Sequence, residues 1–222
     1  MQPDATANRS WEELTPPGRV LLVVVRHGQT AWNAERRFLG RSDIPLDERG
    51  MQQVERVSRF LEPIPFTTAF SSPLSRATQT ASAILQGRPL QLALDPRLAE
   101  LDQGLLEGEK MHTLISQHRE FFAAWQDDPS SCRIPGGESF SECQARGVEA
   151  FTEIARQGQP GAPILIVTHN MLIRAVVCAI RGLPLSRFGD IEQANAAVNM
   201  LSHGDDGFRI HRINQQPSPA FP

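Results

Sequence analysis

Two stretches of the chain, 20–25 and 164–167, are apolar without alternation. Runs this short, β-branched and free of polar residues predict parallel strands buried on both faces. Each passes through a brief polar turn into a helical pattern. After the second run, apolar residues recur at helical spacing over 171–180, and Gly182 and Pro184 end the pattern. A third strand is predicted at 67–70. It leads to Ser72 as an N-cap and Pro73 as the first residue of a helix reaching about Gln86. Further helices are predicted over 47–61, 109–127 and 138–157, and further strands over 90–94 and 197–202. Short buried strands alternating with helices predict an α/β fold, a three-layer α/β/α sandwich around a mostly parallel central sheet.

Both ends of the chain depart from this pattern. Residues 1–18 are polar and finish on a Pro-Pro-Gly turn, so they read as a flexible leader. Residues 215–222 hold three prolines and read as a flexible tail. No linker-like stretch interrupts 19–214, which reads as a single domain. At 222 residues and 40% hydrophobic content the chain can bury a core without staples. The formal net charge of -3 argues against a nucleic-acid or membrane-surface binder. Three cysteines without a CxxC pair fit a reducing cytoplasm better than a disulfide framework. Residues 1–18 contain no apolar segment of a secretory signal, and the longest apolar run falls far short of a membrane span. All the basic residues but Lys110 are arginines, which suit planar phosphate or carboxylate recognition.

In open α/β sheets, ligands bind beyond the carboxyl ends of the strands. Past the first strand stand Arg26, His27 and Gly28. Past the second stand Thr168, His169 and Asn170, and past the third Ser71, Ser72 and Pro73, with Arg76 one helical turn on. Side chains lean toward the N-terminus of their helix, so Arg76 should point back to the same edge. If the strands are neighbours, two imidazoles and two guanidinium groups converge on a cationic pocket suited to a phosphoryl group. A neutral imidazole can attack phosphorus, and the arginines can neutralise the equatorial oxygens. A leaving alkoxide then needs a proton. Glu100 is the preferred donor and Asp102 its competitor.

Each of these residues has a plainer reading. A lone histidine after a strand is more often a turn or core residue, and a lone arginine a surface charge. At His27 the flanking Arg26 and Gly28 at a buried strand end outweigh that. His112, His118, His203 and His211 read as structural or solvated, with no metal-ligand spacing. Cys178 reads as packing.

The segment Arg26-His27-Gly28-Gln29-Thr30-Ala31-Trp32-Asn33 resembles the signature of the histidine phosphatase superfamily, the phosphoglycerate-mutase-like proteins. The likeness continues through Arg37, Gly40, Asp43, Pro45-Leu46, Gly50 and Gln52. It recurs in Ser71-Ser72-Pro73-Leu74-Ser75-Arg76, around Leu98-Ala99-Glu100-Leu101-Asp102, in Pro135-Gly136-Gly137-Glu138-Ser139 and at His169. The resemblance implies a phosphoglycerate mutase-like fold, with His27 as the phosphorylated nucleophile. Arg26, Arg76 and His169 would clamp the phosphate, and Glu100 would be proton donor and then base. Asn33 would add a phosphate contact, and Gln29, Thr30, Leu39 and Gly40 would border the substrate. It implies no cofactor and no metal. Leu106 replaces a bulky aromatic common in the family. Asn170 stands where many members have glycine and brings a side chain to the substrate site.

The expected function is therefore a metal-independent phosphomonoesterase acting on a small phosphate ester in the cytoplasm. No nucleic-acid or membrane partner is expected, and a homodimer is left open. The alternative is phosphoglycerate mutase-type transfer, which needs a second cationic subsite. Residues 100–135 offer only Lys110, Arg119 and Arg133 for it, which favours hydrolysis. A non-catalytic phospho-ligand binder is the third reading. Residues 105–134 are expected to form a lid. Its Met111, Leu114, Ile115, Phe121, Phe122 and Trp125 suit a helix packed on the core as well as they suit a substrate wall.

Overall fold

The computed structural model describes residues 11, 13 and 17–217. Most of the expected leader, and residues 218–222 of the expected tail, lie outside them. In chain order the elements are β1 (Val20–Arg26), α1 (Ala31–Ala34), α2 (Glu48–Leu61), β2 (Thr68–Ser71), α3 (Ser75–Leu85), β3 (Leu92–Leu94), α4 (Met111–Gln117) and α5 (Arg119–Asp127). They continue as α6 (Phe140–Gln157), β4 (Ile164–Thr168), α7 (Asn170–Arg181), β5 (Val198–Gly204) and β6 (Gly207–Gln215). The strands form one sheet in the order β3-β2-β4-β1-β5-β6. β3, β2, β4 and β1 are mutually parallel, β5 runs antiparallel to β1, and β6 antiparallel to β5.

The unbroken apolar run of β1 is explained by its two covered faces. Val20, Leu22 and Val24 pack with α6 and α7, whereas Leu21, Val23 and Val25 pack with α2 and α3. The expected three-layer sandwich is what forms. Close approach of α6 and α7 depends on Gly147, where a Cβ would lie 2.7 Å from Leu172 Cδ1. α7 ends as the sequence predicts, with Gly182 in the left-handed region at φ 63°. Trp11, inside the stretch read as a leader, packs against the α2–α3 face of the core. Gln215, read as the first residue of the tail, is the last residue of β6. Among the described residues no helix is long and apolar enough to cross a membrane.

Three local expectations need correction. The helix predicted over 109–127 is two helices, α4 and α5, with a break at His118 (φ -125°, ψ 44°). His118 takes the stripe position between Leu114 and Phe122 that a continuous amphipathic helix would bury, and the backbone leaves the helix there. The helix predicted from Pro73 starts at Ser75, with Leu74 at its N-cap position. Ser72 is engaged elsewhere, as described below. β6 was not anticipated. Its pairing with β5 carries register shifts between Val198 and Leu201, and the irregularity destroys the period-two signal that would have marked a strand.

Candidate active site

Strand order creates the site. β4 lies between β1 and β2, with Arg26 in register with Thr168 and Ser71 with Val167. Three chain segments thus leave the sheet side by side, carrying His27, His169 and Ser72. Two backbone hydrogen bonds extend the ladder past the strand ends, His27 N to Thr168 O and Ser72 N to Val167 O, each 3.0 Å. The rings of His27 and His169 come within 5.0 Å, centroid to centroid.

Each imidazole has its protonation written into its contacts. His27 Nδ1 lies 2.7 Å from Gly28 O. A carbonyl can only accept, so Nδ1 carries the proton and the lone pair is on Nε2. His169 Nε2 lies 2.8 Å from Ser72 Oγ. That oxygen also accepts from Leu74 N at 3.3 Å. In the arrangement where the Ser72 hydroxyl donates to Nε2, the His169 proton is on Nδ1, which is buried and has no partner among the described residues. Burial, reinforced by the Arg76 and Arg26 charges, holds the pKa of His27 well below the ordinary imidazole value. Burial and Arg76 do the same to His169, so both rings are neutral.

Of the two arginines, Arg76 is fully buried and Arg26 half-buried. Arg76 donates from Nη2 to Gly40 O at 2.6 Å and from Nη1 to Ser42 O at 2.8 Å, leaving Nε free. Arg26 donates to Gln193 O, and its Nε too has no protein partner. Burial pushes both guanidinium groups down to about 10, so they stay charged at neutral pH. The carbonyls that hold Arg76 come from a loop closed by Glu107, which accepts from Arg41 N at 2.6 Å and Ser42 N at 2.7 Å. Gly40 is required there, since a Cβ would lie 2.3 Å from Glu107 Oε1 and 2.8 Å from Leu101 O.

Glu100 follows the short 3-10 turn Pro96–Leu98 and is buried. Its Oε1 accepts from Leu101 N at 2.9 Å, Met171 N at 3.0 Å and Leu172 N at 3.2 Å. Two of these amides are in the first turn of α7, so a helix N-terminus faces the carboxyl. Burial still dominates and raises the Glu100 pKa above its ordinary value, against those hydrogen bonds and the two arginine charges. Oε2 takes a single amide, Met171 N at 3.2 Å, and is the oxygen with room to carry a transferable proton. Arg146 fixes this loop, donating to Arg97 O and Ala99 O at 2.7 Å and to Glu100 O at 2.9 Å, while Glu138 pairs with it at 2.5 Å.

Of these groups Arg26, His27 and Glu100 line a cleft of about 370 Å3, together with Asn33, Leu39 and Asn170 among others, whereas Arg76 and His169 are fully buried behind it and are not among its lining residues. Asn33 presents its amino group there, because its Oδ1 accepts from Thr30 N at 3.2 Å and Asn195 Nδ2 at 3.0 Å. Other expected residues are turned elsewhere. Gln29 donates to Asp47 Oδ2 at 3.0 Å, and Thr30 is the buried N-cap of α1, so neither is among the residues lining the cleft. Gly40 acts through its carbonyl on Arg76. Asp102 accepts from Gly104 N at 3.0 Å and lies 3.8 Å from Arg41, apart from the cleft lining. Sequence reasoning missed what Ser72 does for His169, and it missed Arg146, Gln193 and Asn195 altogether. They reach the site through contacts to His169, Glu100, Arg26 and Asn33 that are distant in sequence, and no local pattern announces them.

Comparison with known proteins agrees with this geometry. The sequence profile of the histidine phosphatase superfamily (branch 1) matches residues 22–216. The probable phosphoglycerate mutase GpmB of Erwinia tasmaniensis is 35% identical over 82% of this chain and 84% of its own length. Phosphoserine phosphatase 1 of Hydrogenobacter thermophilus is 30% identical over 82% of this chain and 86% of its own. The mycobacterial glucosyl-3-phosphoglycerate phosphatase in complex with VO3 superposes with a TM-score of 0.79 at 28% identity, covering 88% of this chain and 99% of that one. The chain belongs to the histidine phosphatase superfamily, branch 1.

Proposed function

We propose that this protein is a phosphomonoesterase that hydrolyses a small phosphorylated metabolite through a phosphohistidine on His27, without a metal ion. The observation that carries the reading is the state of His27. It is a buried neutral imidazole whose Nδ1 is committed to Gly28 O, beside a second imidazole at 5.0 Å. Arg26 and Arg76 supply positive charge where the equatorial oxygens of a transferring phosphoryl group would lie. The Nδ1–H of His169 and the amino group of Asn33 are further donors.

In the first step the Nε2 lone pair of His27 bonds to phosphorus while the phosphorus–oxygen ester bond breaks. The electron pair leaves with the alcohol oxygen, which takes the proton from Glu100 Oε2. In the second, the Glu100 carboxylate takes a proton from water, the water oxygen bonds to phosphorus, and the phosphorus–nitrogen bond breaks. His27 regains its lone pair, and inorganic phosphate leaves. A carboxyl with a raised pKa suits both halves of this cycle.

Hydrolysis is preferred over mutase transfer because Lys110, Arg119 and Arg133, the basic residues of 100–135, are not among the residues lining the cleft. Arg133 is paired with Glu142. The mutase reading draws on Arg36 and Arg37, which do line the cleft, and on the likeness to GpmB. The test is p-nitrophenyl phosphate turnover with excess chelator, followed by mass spectrometry of the quenched enzyme. The expected results are chelator-resistant turnover, phosphate on the peptide that contains His27, and a loss of several orders of magnitude in His27→Ala. Retained activity in His27→Ala overturns the nucleophile. Rapid formation of 2-phosphoglycerate from 3-phosphoglycerate with a trace of 2,3-bisphosphoglycerate overturns the hydrolase reading in favour of the mutase.

A further inference from the structure

A second chamber, about 260 Å3, adjoins the catalytic cleft. The two share four wall residues: Phe38, Gln103, Met111 and Met171. Beyond that wall the chamber is closed by α5 and by the turn that follows α7, chiefly through Phe121, Phe122, Trp125 and Phe188. Among the described residues Gln103 is the one polar lining residue, and the Oε1 of that side chain is buried without a partner among them, at the junction of the two spaces.

The size and lining point to a ligand. Close-packed interiors leave few voids larger than a water molecule, and a dry apolar cavity of about 150 Å3 is enough to hold a benzene ring. The present chamber is larger than that and is walled mainly by side chains that are only partly buried. A pocket so lined offers an anionic group no partner, since among the described residues its lining contains no Lys or Arg. Arg26, Arg36 and Arg37 line the neighbouring cleft, and Arg174 stands over the Phe188 ring at 5.9 Å without being part of the chamber lining.

Building on the hydrolase reading above, we infer that the chamber is the leaving-group subsite and that the substrate is a phosphate monoester with a bulky apolar body, a two-ring aromatic or a medium-length alkyl chain. The phosphoryl group sits among His27, Arg26 and Arg76, and the organic group crosses the wall of Phe38 and Met111 into the aromatic cage of α5. A compact ester bearing a second charge, such as a phosphoglycerate or phosphoserine, leaves this chamber empty.

The experiment is kcat/KM for the n-alkyl phosphates from ethyl to octyl, whose leaving groups differ little in acidity, with 3-phosphoglycerate and phosphoserine alongside. Each buried methylene should raise kcat/KM about threefold to fourfold until the chamber is full, so octyl phosphate should exceed ethyl phosphate by roughly a hundredfold or more. Phe121→Gln should lower the octyl-to-ethyl ratio at least tenfold. Because the readout is a ratio within one protein preparation, it is insensitive to partial misfolding. Ethylphosphonate and octylphosphonate, which have no ester bond to cleave, provide the same comparison by calorimetry. Hydrolysis with a flat chain-length profile, or with 3-phosphoglycerate or phosphoserine ahead of the octyl ester, overturns the subsite and leaves the hydrolase reading standing. Tighter binding of octylphosphonate by an enzyme that cleaves none of the esters overturns the hydrolase reading and leaves the apolar subsite. Equal affinity for the two phosphonates overturns the subsite whatever the turnover.

Discussion

Replacing Ser72 with alanine tests whether the hydroxyl behind His169 matters as the geometry requires. Ser72 is fully buried, and its Oγ is the partner of His169 Nε2, at 2.8 Å. Without it the ring has two courses. It can keep its proton on Nδ1 and leave Nε2 unsatisfied in a dry site, at a cost of about 1–3 kcal/mol. Alternatively it can move the proton to Nε2, which turns the Nδ1 lone pair toward the bound phosphoryl oxygens and replaces attraction with repulsion. The first course costs the folded protein stability at every stage of the reaction, whereas the second falls on the transition state, where charge gathers on the equatorial oxygens. Loss of that donor, at about 1–3 kcal/mol, lowers kcat roughly 5- to 150-fold. The assay is steady-state turnover of p-nitrophenyl phosphate, together with nitrogen-15 chemical shifts of the His169 ring. Those shifts should report a protonated Nδ1 in the wild type. The wild-type tautomer, together with a Ser72→Ala kcat within twofold of wild type, refutes the reasoning. A loss of stability without a change in turnover reduces Ser72 to a packing residue.

Other consequences are independent of Ser72. Glu100→Gln keeps an acceptor for the α7 amides but loses the transferable proton. It should therefore slow alkyl phosphates far more than p-nitrophenyl phosphate, whose leaving group needs little protonation; equal losses on both would move the acid elsewhere. Gly40→Ala would set a methyl 2.3 Å from Glu107 Oε1 and displace the carbonyl that holds Arg76. A KM raised tenfold or more is expected, and an unchanged KM would mean that the loop relaxes without moving Arg76. Stability should fall with pH below about 6.5, because the unfolded chain takes protons on His27 and His169 that the folded one refuses. Each buried imidazole contributes a slope of about 1.4 kcal/mol per pH unit, and the Glu100 carboxyl, held protonated above its ordinary value, opposes with one such slope over part of the window. Urea titrations from pH 7 to 5 check the sign, and stability that stays flat or rises with acidification argues against neutral burial of both rings.

Much of this molecule is legible in one dimension, and the reasons are local. A strand covered on both faces must be apolar throughout, so β1 and β4 announce themselves. A helix that turns its backbone needs a residue tolerant of positive φ, so Gly182 marks the end of α7. The residues immediately past β1, β2 and β4 can be named from the sequence because a parallel sheet presents its strand ends at one edge. Tertiary structure alone decided that β4 would stand between β1 and β2, and hence that His27 and His169 would meet. It also decided that Ser72 would serve His169 and not α3, and that Gln29 and Thr30 would turn away from the cleft. Arg146 pins the Glu100 loop across more than 40 residues, and α5 folds back to wall a chamber, where the sequence had left its aromatic residues open between core packing and a substrate wall. These are long-range contacts, chosen by packing and by the need of every buried donor and acceptor for a partner, and sequence periodicity reports only which face of an element is buried, never what it is buried against.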